Sequence, residues 1–553
     1  MTRQRLQALC ASLVFLFGIV LCRVLWIATD TGYAVSAGAQ TVATAELPRN
    51  RGDFFDCNGR RLTGEKQIWY ALCIPGDSSY ANLFPYVPYE QQNDLYENRN
   101  SASPFLVPVS RDLSANGIYT YPGRQRYLDN PVAVHLIGYL DGEGNGVSGL
   151  ELAFDDLLAA SADEQAVSCA TTAQGSLLAG TLPDLETQQQ GSGLGVQLTL
   201  NVEIQRACEG IAQTTMDTGC ILVADVTTGR VFASVSMPEF DPRNIQKSID
   251  ANDTSLINRA FAAFSAGSVF KVVLAAAAYE AGLDWFTHDC TGSIQVSDQT
   301  YRCALGRAHG TVNLRGALEQ SCNCYFVALG QALGGQLVAD MAERFGFGRA
   351  TAVAGGLKSG AGTLPDAETL KNAGQLAMFS FGQGELTVTP VQITAMMRAV
   401  AGDGRLLPLS FVQGPVDSKT MQPAAQSTTA PVSRSDQVCS GDTARILRSM
   451  LQSVVTDGIG GEAAPTWTTA GGKTGTAQTG QFNAQGEELL NYWFSGFVPA
   501  ENPRYVITVL QDATLDPETS SPAIFARVAD ALHALDEAGT QTPESAEKLP
   551  ALP

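Results

Sequence analysis

Histidine is nearly absent from this 553-residue chain, which has four, at positions 135, 288, 309 and 533. They form no metal-ligand spacing with the twelve cysteines, and no glycine-rich phosphate loop of Walker or dinucleotide type occurs. The sequence therefore predicts no metal centre and no cofactor. Positive charge is also short, with 35 Lys and Arg against 55 Asp and Glu, a formal net charge of -20 and a pI near 4.6. That balance argues against a nucleic-acid partner and for a solvated anionic exterior. A compact disulfide framework is missing too. Cys290 and Cys303 could bridge a short loop, Cys322 and Cys324 flank an asparagine, and at each position a buried free thiol fits at least as well.

What is present begins with residues 6–28, an almost unbroken apolar run with Arg3 and Arg5 in front and Arg23 and Trp26 near its end. The run is long enough to cross a bilayer. Arg23 can snorkel, Trp26 can sit at the interface, and the leading arginines favour a cytoplasmic N-terminus. Residues 1–28 are thus expected to be a cytoplasmic stub and a single transmembrane anchor, with the remainder outside. A cleaved signal peptide is the alternative, but its small-x-small site, Ala37-Gly38-Ala39, lies well beyond the apolar run.

The length allows two or three domains. Residues 29–192 predict a non-catalytic module, mainly β and irregular. Within it Asp56-Cys57-Asn58-Gly59 reads as a turn between two short strands, residues 135–158 as a strand, a glycine-rich turn and an amphipathic helix, and 159–192 as weakly patterned. From residue 193 the pattern sharpens. Residues 196–200, 220–226 and 230–236 read as strands, Asn201 can cap a helix over 202–213, and late strands at 495–497 and 505–511 precede a helix over 522–535. The fold class is α+β, an antiparallel sheet covered by helices over 193–535. Residues 412–436, rich in Ser, Thr, Pro and Gln, suit a surface excursion, and the polar segment 536–553 a disordered tail.

One stretch suits nucleophilic chemistry. In Phe264-Ser265-Ala266-Gly267-Ser268-Val269-Phe270-Lys271, Gly267 permits a tight turn, and residues 269–281 are good helix formers stopped by Gly282. Ser268 then opens a buried helix, and Lys271 shares its face and can reach back to its hydroxyl. A serine nucleophile needs a neutral acceptor for its proton. Burial and a second nearby cation would both lower the lysine pKa toward providing one. Two further motifs lie downstream, Ser321-Cys322-Asn323 and Lys473-Thr474-Gly475-Thr476. Decoys occur at 545–548, 114–116 and 358–360, but only 268, 321 and 473 fall in one domain and in this order.

With these motifs the chain resembles the penicillin-binding proteins, whose Ser-x-x-Lys, Ser-x-Asn and Lys-Thr-Gly signatures recur across serine D,D-peptidases and β-lactamases. The resemblance extends to Asn258-Arg259-Ala260, His309-Gly310, Phe381-Gly382-Gln383-Gly384 with Thr389-Pro390, and Trp493-Phe494-Ser495-Gly496-Phe497. Residues 51–59 and 146–151 resemble the pedestal of class B members, which carry one anchor and no glycan-polymerising domain. It covers nearly everything from residue 46 to 533. Cys322 stands where many relatives carry another small or polar residue.

The resemblance implies a dimerisation-like pedestal over 29–192 and a serine D,D-transpeptidase domain over 193–535. Ser268 would attack the penultimate D-alanine carbonyl of a peptidoglycan stem peptide, with Lys271 as general base. Ser321 would relay a proton to the leaving nitrogen, and Asn323 would bond both the Lys271 region and the substrate amide. Lys473 would be the second cation, holding the terminal carboxylate with the hydroxyls of Thr474 and Thr476, and Gly475 would line the same substrate- and oxyanion-binding stretch. Backbone amides of Ser268 and Thr476 would form the oxyanion hole, while His309 reads as a structural residue. The implied partners are lipid-linked precursor and nascent glycan, β-lactams as covalent inhibitors, the membrane, and a polytopic glycan polymerase of the shape, elongation, division and sporulation family. The catalytic domain would lie outside the bacterial cell membrane. A membrane-bound β-lactamase or β-lactam sensor, or a non-catalytic activator of the polymerase, would share these motifs; the long pedestal argues against the β-lactamase.

Overall fold

A computed structural model of the chain describes residues 3–29, 42–48, 50–101, 103–172, 177–178, 180–251, 253–424 and 436–540. The Ala37-Gly38-Ala39 site, residues 425–435 of the polar excursion and residues 541–553 of the tail, with the decoy at 545–548, lie outside the described residues.

The apolar run forms one helix, Arg3–Thr29. Its segment Gln7–Ile27 is long and apolar enough to cross a membrane, 21 residues with no side buried in protein. At about 1.5 Å per residue it spans about 32 Å, comparable to a hydrocarbon core of about 30 Å. The Arg23 guanidinium lies over the Trp26 ring, 4.3 Å from its centroid.

The chain divides into two compact units. The first comprises Met1–Arg51, Gly64–Arg126 and Ala160–Gly193. It holds two three-stranded antiparallel sheets: Gln67–Cys73 lies between Phe105–Val109 and Thr120–Arg124, and Glu164–Ala170 between Val42–Glu46 and Asp184–Gln189. Alternate residues Ala71, Cys73, Val107 and Val109 turn inward onto Leu83 and Leu95. Strands therefore exist in 159–192, where little patterning was legible. Asp184–Gln189 buries no residue, so its sequence carries no apolar alternation.

The second unit comprises Gly52–Thr63, Tyr127–Ala159 and Leu194–Pro553. Two stretches expected in the pedestal thus pack here instead, because their apolar residues complete this unit's core. Phe54–Phe55 pairs in parallel with Leu194–Leu198, which pairs on its other side with Val412–Asp417. Leu136, Ile137 and Leu150 share a core with Val196, Leu198 and Phe411. The turn expected at Asp56 forms: its Oδ1 accepts from the amides of Asn58 and Arg60 at 2.8 and 2.9 Å. The strand expected at 135 does not. Val134–Ile137 is a single helical turn, and the short helices Gly149–Ala153 and Asp155–Ala159 follow. Gly138 at φ 89 caps that turn, and a Cβ there would lie 2.0 Å from the Ser148 carbonyl oxygen, so conformation and space both require glycine.

The centre of this unit is a five-stranded, fully antiparallel sheet. Its spatial order is Val231–Met237, Gly219–Asp225, Tyr505–Thr514, Glu488–Val498 and Gly471–Phe482. Along the central strand Tyr505, Ile507 and Val509 face one core, with the helices Val202–Thr215 and Ser521–Thr540, while Val506 and Leu510 face the other. A strand covered on both faces reads as a continuous apolar run, as Tyr505 to Leu510 does. Its one polar interruption, Thr508, is satisfied by the hydroxyls of Thr394 and Ser495, both at 2.8 Å. The second core also holds Lys271–Glu280, Asn323–Leu333, Pro390–Ala401 and Gly441–Thr456. The last helix runs to Thr540 rather than 535, so residues 536–540 are not tail. Asp536 holds it there, accepting from Arg504 at 2.6 Å and the Tyr505 hydroxyl at 2.9 Å.

Candidate active site

The first motif sits in a clasp. Phe264–Ser265 pairs with Thr387–Val388, and the Trp493 indole donates to the Ser265 carbonyl at 3.0 Å. Gly267 follows at φ 58; its amide donates to the Gly382 carbonyl at 2.8 Å, and a Cβ there would lie 2.6 Å from the Thr476 carbonyl oxygen. Conformation and space both require glycine. Ser268 is half-buried in the tight helical turn Gly267–Phe270. Phe270 anchors that turn between Phe347 and Phe379, with ring centroids 5.7 and 4.9 Å away.

The α-helix expected to open at Ser268 starts at Lys271 and runs to Glu280. The neighbouring strand presses on the turn: a Cβ on Gly475 would lie 3.2 Å from the Val269 nitrogen. As expected, Gly282 ends the helix, at φ 70, with Leu283 N–H donating to Ala278 and Gly282 N–H to Tyr279.

Lys271 is fully buried. Its amine donates to Asn323 Oδ1 at 2.6 Å, to the Ser321 carbonyl at 2.8 Å and to Ser321 Oγ at 3.2 Å. The expected contact with Ser268 is not made; among the described residues the Ser268 hydroxyl has no hydrogen-bond partner. Three acceptors from the second motif use all three donors of an ammonium, and loss of one proton frees a lone pair beside them.

Ser321 adopts the left-handed region at φ 50, and the buried Cys322 accepts the Tyr325 amide at 3.4 Å as the helix cap. Asn323 is thereby the first residue of its helix. Its amide group is fixed from both ends, since Nδ2 donates to the Arg302 carbonyl at 2.9 Å.

Lys473 lies on Gly471–Phe482, the outermost strand, and is also fully buried. Its amine donates to the Thr474 carbonyl and hydroxyl, each at 3.2 Å. Thr474 is half-buried, Gly475 buried and Thr476 exposed. Burial pushes the Lys271 amine down to about 7, opposed by the nearby sulfurs of Cys322, Cys303 and Cys324. Lys473 is held well below the ordinary lysine range, first by burial and then by repulsion from Lys271. Burial is the first cause for both amines, and the repulsion between Lys473 and Lys271 acts on each of them.

A buried lysine, three residues after a serine whose hydroxyl has no hydrogen-bond partner among the described residues, is thus bonded to a Ser-x-Asn and repels the buried lysine of a Lys-Thr-Gly edge strand. Residues 219–530 match the penicillin binding protein transpeptidase domain. The chain belongs to the class B penicillin-binding proteins. It is 30% identical to penicillin-binding protein PbpB of Mycolicibacterium smegmatis, across 94% of this chain and 87% of that one. It is 27% identical to stage V sporulation protein D of Bacillus subtilis, across 90% and 81%. Penicillin binding protein 3 of Mycobacterium tuberculosis, solved with aztreonam, superposes with a TM-score of 0.65 at 25% identity, covering 90% of this chain and 97% of that one.

Within this penicillin-binding protein the decoys stand apart. Ser114 lies in the first unit and is tied to Asp112, while Lys358 is exposed and Ser359 accepts the Thr351 amide. Sequence reasoning missed the Trp493 and Gly382 contacts on the turn, although it singled out both segments. It also missed a convergence of cysteines. Cys290, Cys303, His309 and Cys322 bring one ligand atom each to within 4.8 Å of one another, contrary to the expectation that histidine and cysteine form no metal-ligand pattern. Of the two alternatives left open for Cys290 and Cys303, the buried free thiols are present rather than a bridge, their sulfurs lying 3.7 Å apart. These residues come from separate strands and a helix start, so no short Cys-x-x-Cys spacing marks them.

Proposed function

We propose that this chain is a membrane-anchored peptidoglycan D,D-transpeptidase that works through a Ser268 acyl-enzyme. Neutral Lys271 takes the hydroxyl proton as Ser268 Oγ bonds to the carbonyl carbon of the penultimate D-alanine. Amides of Ser268 and Thr476 receive the oxyanion, a contribution of about 10² to 10³ in rate for one such donor. Ser321 passes the proton to the leaving nitrogen, the C–N bond breaks, and D-alanine departs. An amine from a neighbouring strand then attacks the ester, forms the crosslink and returns the proton to Ser268. Asn323 orients Lys271 and the substrate amide, while Lys473, Thr474 and Thr476 along the Gly475 strand hold the terminal carboxylate. A β-lactam would acylate the same serine but keep its leaving group tethered.

The observation that carries this reading is the buried Lys271 amine, held by Ser321 and Asn323 and pushed down to about 7. The relatives named peptidoglycan D,D-transpeptidase, such as FtsI of Escherichia coli at 24% identity over 92% of this chain, support the reaction class. The apolar helix supports a single-pass anchor with the catalytic unit outside the cell membrane. In this reading residues 29–192, without the stretches Gly52–Thr63 and Tyr127–Ala159 that pack in the second unit, are the pedestal, 193–535 is the catalytic domain, and a polytopic glycan polymerase is the partner. Purified protein is expected to label with a fluorescent penicillin and Ser268→Ala to abolish the label. Persistent labelling would move the nucleophile, with Ser265 the next candidate.

A further inference from the structure

We propose that Cys290, Cys303, His309 and Cys322 bind one zinc ion, and that through Cys322 this ion fixes the position of Ser321 and Asn323. The second clause rests on the function proposed above; the first does not.

Three of the six separations among the four ligand atoms match the edges of a tetrahedral zinc site. Cys290 Sγ lies 3.7 Å from Cys303 Sγ and 3.4 Å from His309 Nδ1, and Cys303 Sγ lies 3.8 Å from Cys322 Sγ. Zinc bonds of about 2.3 Å to sulfur and about 2.0 Å to nitrogen require edges of about 3.8 Å between sulfurs and about 3.5 Å from sulfur to nitrogen. No pair of the four ligand atoms exceeds 4.8 Å. A disulfide does not account for this cluster. Cys303 is nearly equidistant from three sulfurs, with Cys324 at 3.5 Å, and a disulfide joins only one pair, at about 2.05 Å. A tetrahedral ion joins Cys303, Cys290 and Cys322 at once.

The surrounding segment has little apolar burial of its own, and its polar ties include the Tyr301 hydroxyl donating to the Gly374 carbonyl at 3.1 Å and Asn323 Nδ2 to the Arg302 carbonyl at 2.9 Å. Two short two-stranded pieces, pairing Thr287–Cys290 with Gly310–Asn313 and Ser293–Val296 with Gln299–Arg302, project between residues 287 and 313. Their buried residues are Cys290, Gly292, Cys303 and Val312, which is too little apolar surface to hold a segment of that length. The ligands staple it. Cys290 ends one strand, Cys303 follows another, His309 precedes a third, and Cys322 caps the Asn323–Leu333 helix. Gly292, at φ 94, lets the two loops meet: a Cβ there would lie 2.3 Å from the Gly306 carbonyl oxygen. Backbone amides support the ligand residues, His309 N–H donating to the Cys290 carbonyl at 3.1 Å and Cys303 N–H to Gly292 at 3.0 Å. The Tyr325 N–H on Cys322 Sγ favours a thiolate.

Three soft thiolates and one imidazole in a closed four-ligand set select zinc in a structural role, with no open position for chemistry. Binding displaces the three thiol protons. Because Cys322 is the middle residue of the second motif, the ion sits one residue from each acceptor that holds Lys271.

The full-length chain, purified in detergent with reductant and without chelator, is expected to carry one zinc per chain by mass spectrometry of the metal. Zinc should disappear in Cys303→Ser and His309→Ala and remain in Cys324→Ser and Ser268→Ala. Replacement by cobalt should give thiolate charge-transfer absorption and intense tetrahedral d–d bands in the intact protein, which decides the matter if a variant fails to fold. Penicillin acylation at Ser268 should shift those bands, as a staple remote from the motif would not. Reduced protein that binds neither metal when both are supplied overturns the site, as does full zinc in both Cys303→Ser and His309→Ala. Cobalt bands unmoved by acylation overturn the link to Ser321 and Asn323. Penicillin labelling is read separately, so loss of the zinc site and loss of the transpeptidase reading are distinct results.

Discussion

The Lys271 amine and the Asn323 side-chain oxygen lie 2.6 Å apart, joining two motifs separated by 52 residues of chain. This contact, with the Ser321 acceptors, sets the direction in which the buried amine can use a lone pair. Lys271→Met is expected to lower the rate of penicillin acylation by about 10² to 10⁴, the usual worth of a positioned base. Stopped-flow acylation of variant and parent protein, each checked for native circular dichroism, measures it.

Acylation should also report the Lys271 proton. Only the neutral amine accepts a proton, and its pKa is pushed down to about 7, so the acylation rate should rise with pH through about 7 and level off above it. A rate that stays flat from pH 5 to pH 9 would assign the base elsewhere.

Gly267 tests the clasp. Gly267→Ala places a Cβ 2.6 Å from the Thr476 carbonyl oxygen in a left-handed conformation, whereas Gly480→Ala at φ 70 has open space around it. The second should cost about 1 kcal/mol of backbone strain, and the first more than that together with most of the penicillin labelling. Thermal unfolding and labelling of the two variants separate strain from collision.

His135 predicts an acid-sensitive fold. It is buried, its Nε2 2.6 Å from the Ser255 carbonyl, and burial, aided by Arg259, holds its pKa down to about 4. A pKa depressed in the fold means stability is present above the unfolded value and is lost as pH falls from about 6.5 toward 4. At pH 5 the loss is roughly 2 kcal/mol. Unfolding midpoints at pH 7.5 and pH 5 should differ accordingly, and His135→Gln should narrow the difference.

Legibility followed the physics of each segment. The strands at 219–225, 231–237 and 505–514 and the helix capped by Asn201 were readable because they are buried and periodic or carry their own cap. The Gly471–Phe482 strand was not read, since its polar and glycine-rich sequence serves close packing on the turn rather than apolar burial. Residues 54–55 and 134–137 went to the wrong packing unit because a chain-order reading cannot see which core an apolar residue joins. Of the candidate site, order and spacing picked out Ser268, Lys271, Ser321, Asn323 and Lys473. They could not show that Lys271 turns to the second motif, nor that four ligand-type side chains meet behind it.

The turn that carries Ser268 is gripped by Gly382, Thr476 and Trp493, all of which are synthesised after it. An emerging polypeptide that already displays the serine and the lysine therefore has no rigid seat for either. The nucleophile is armed late, when almost the entire chain has left the ribosome, and a product truncated before residue 471 should be blind to penicillin.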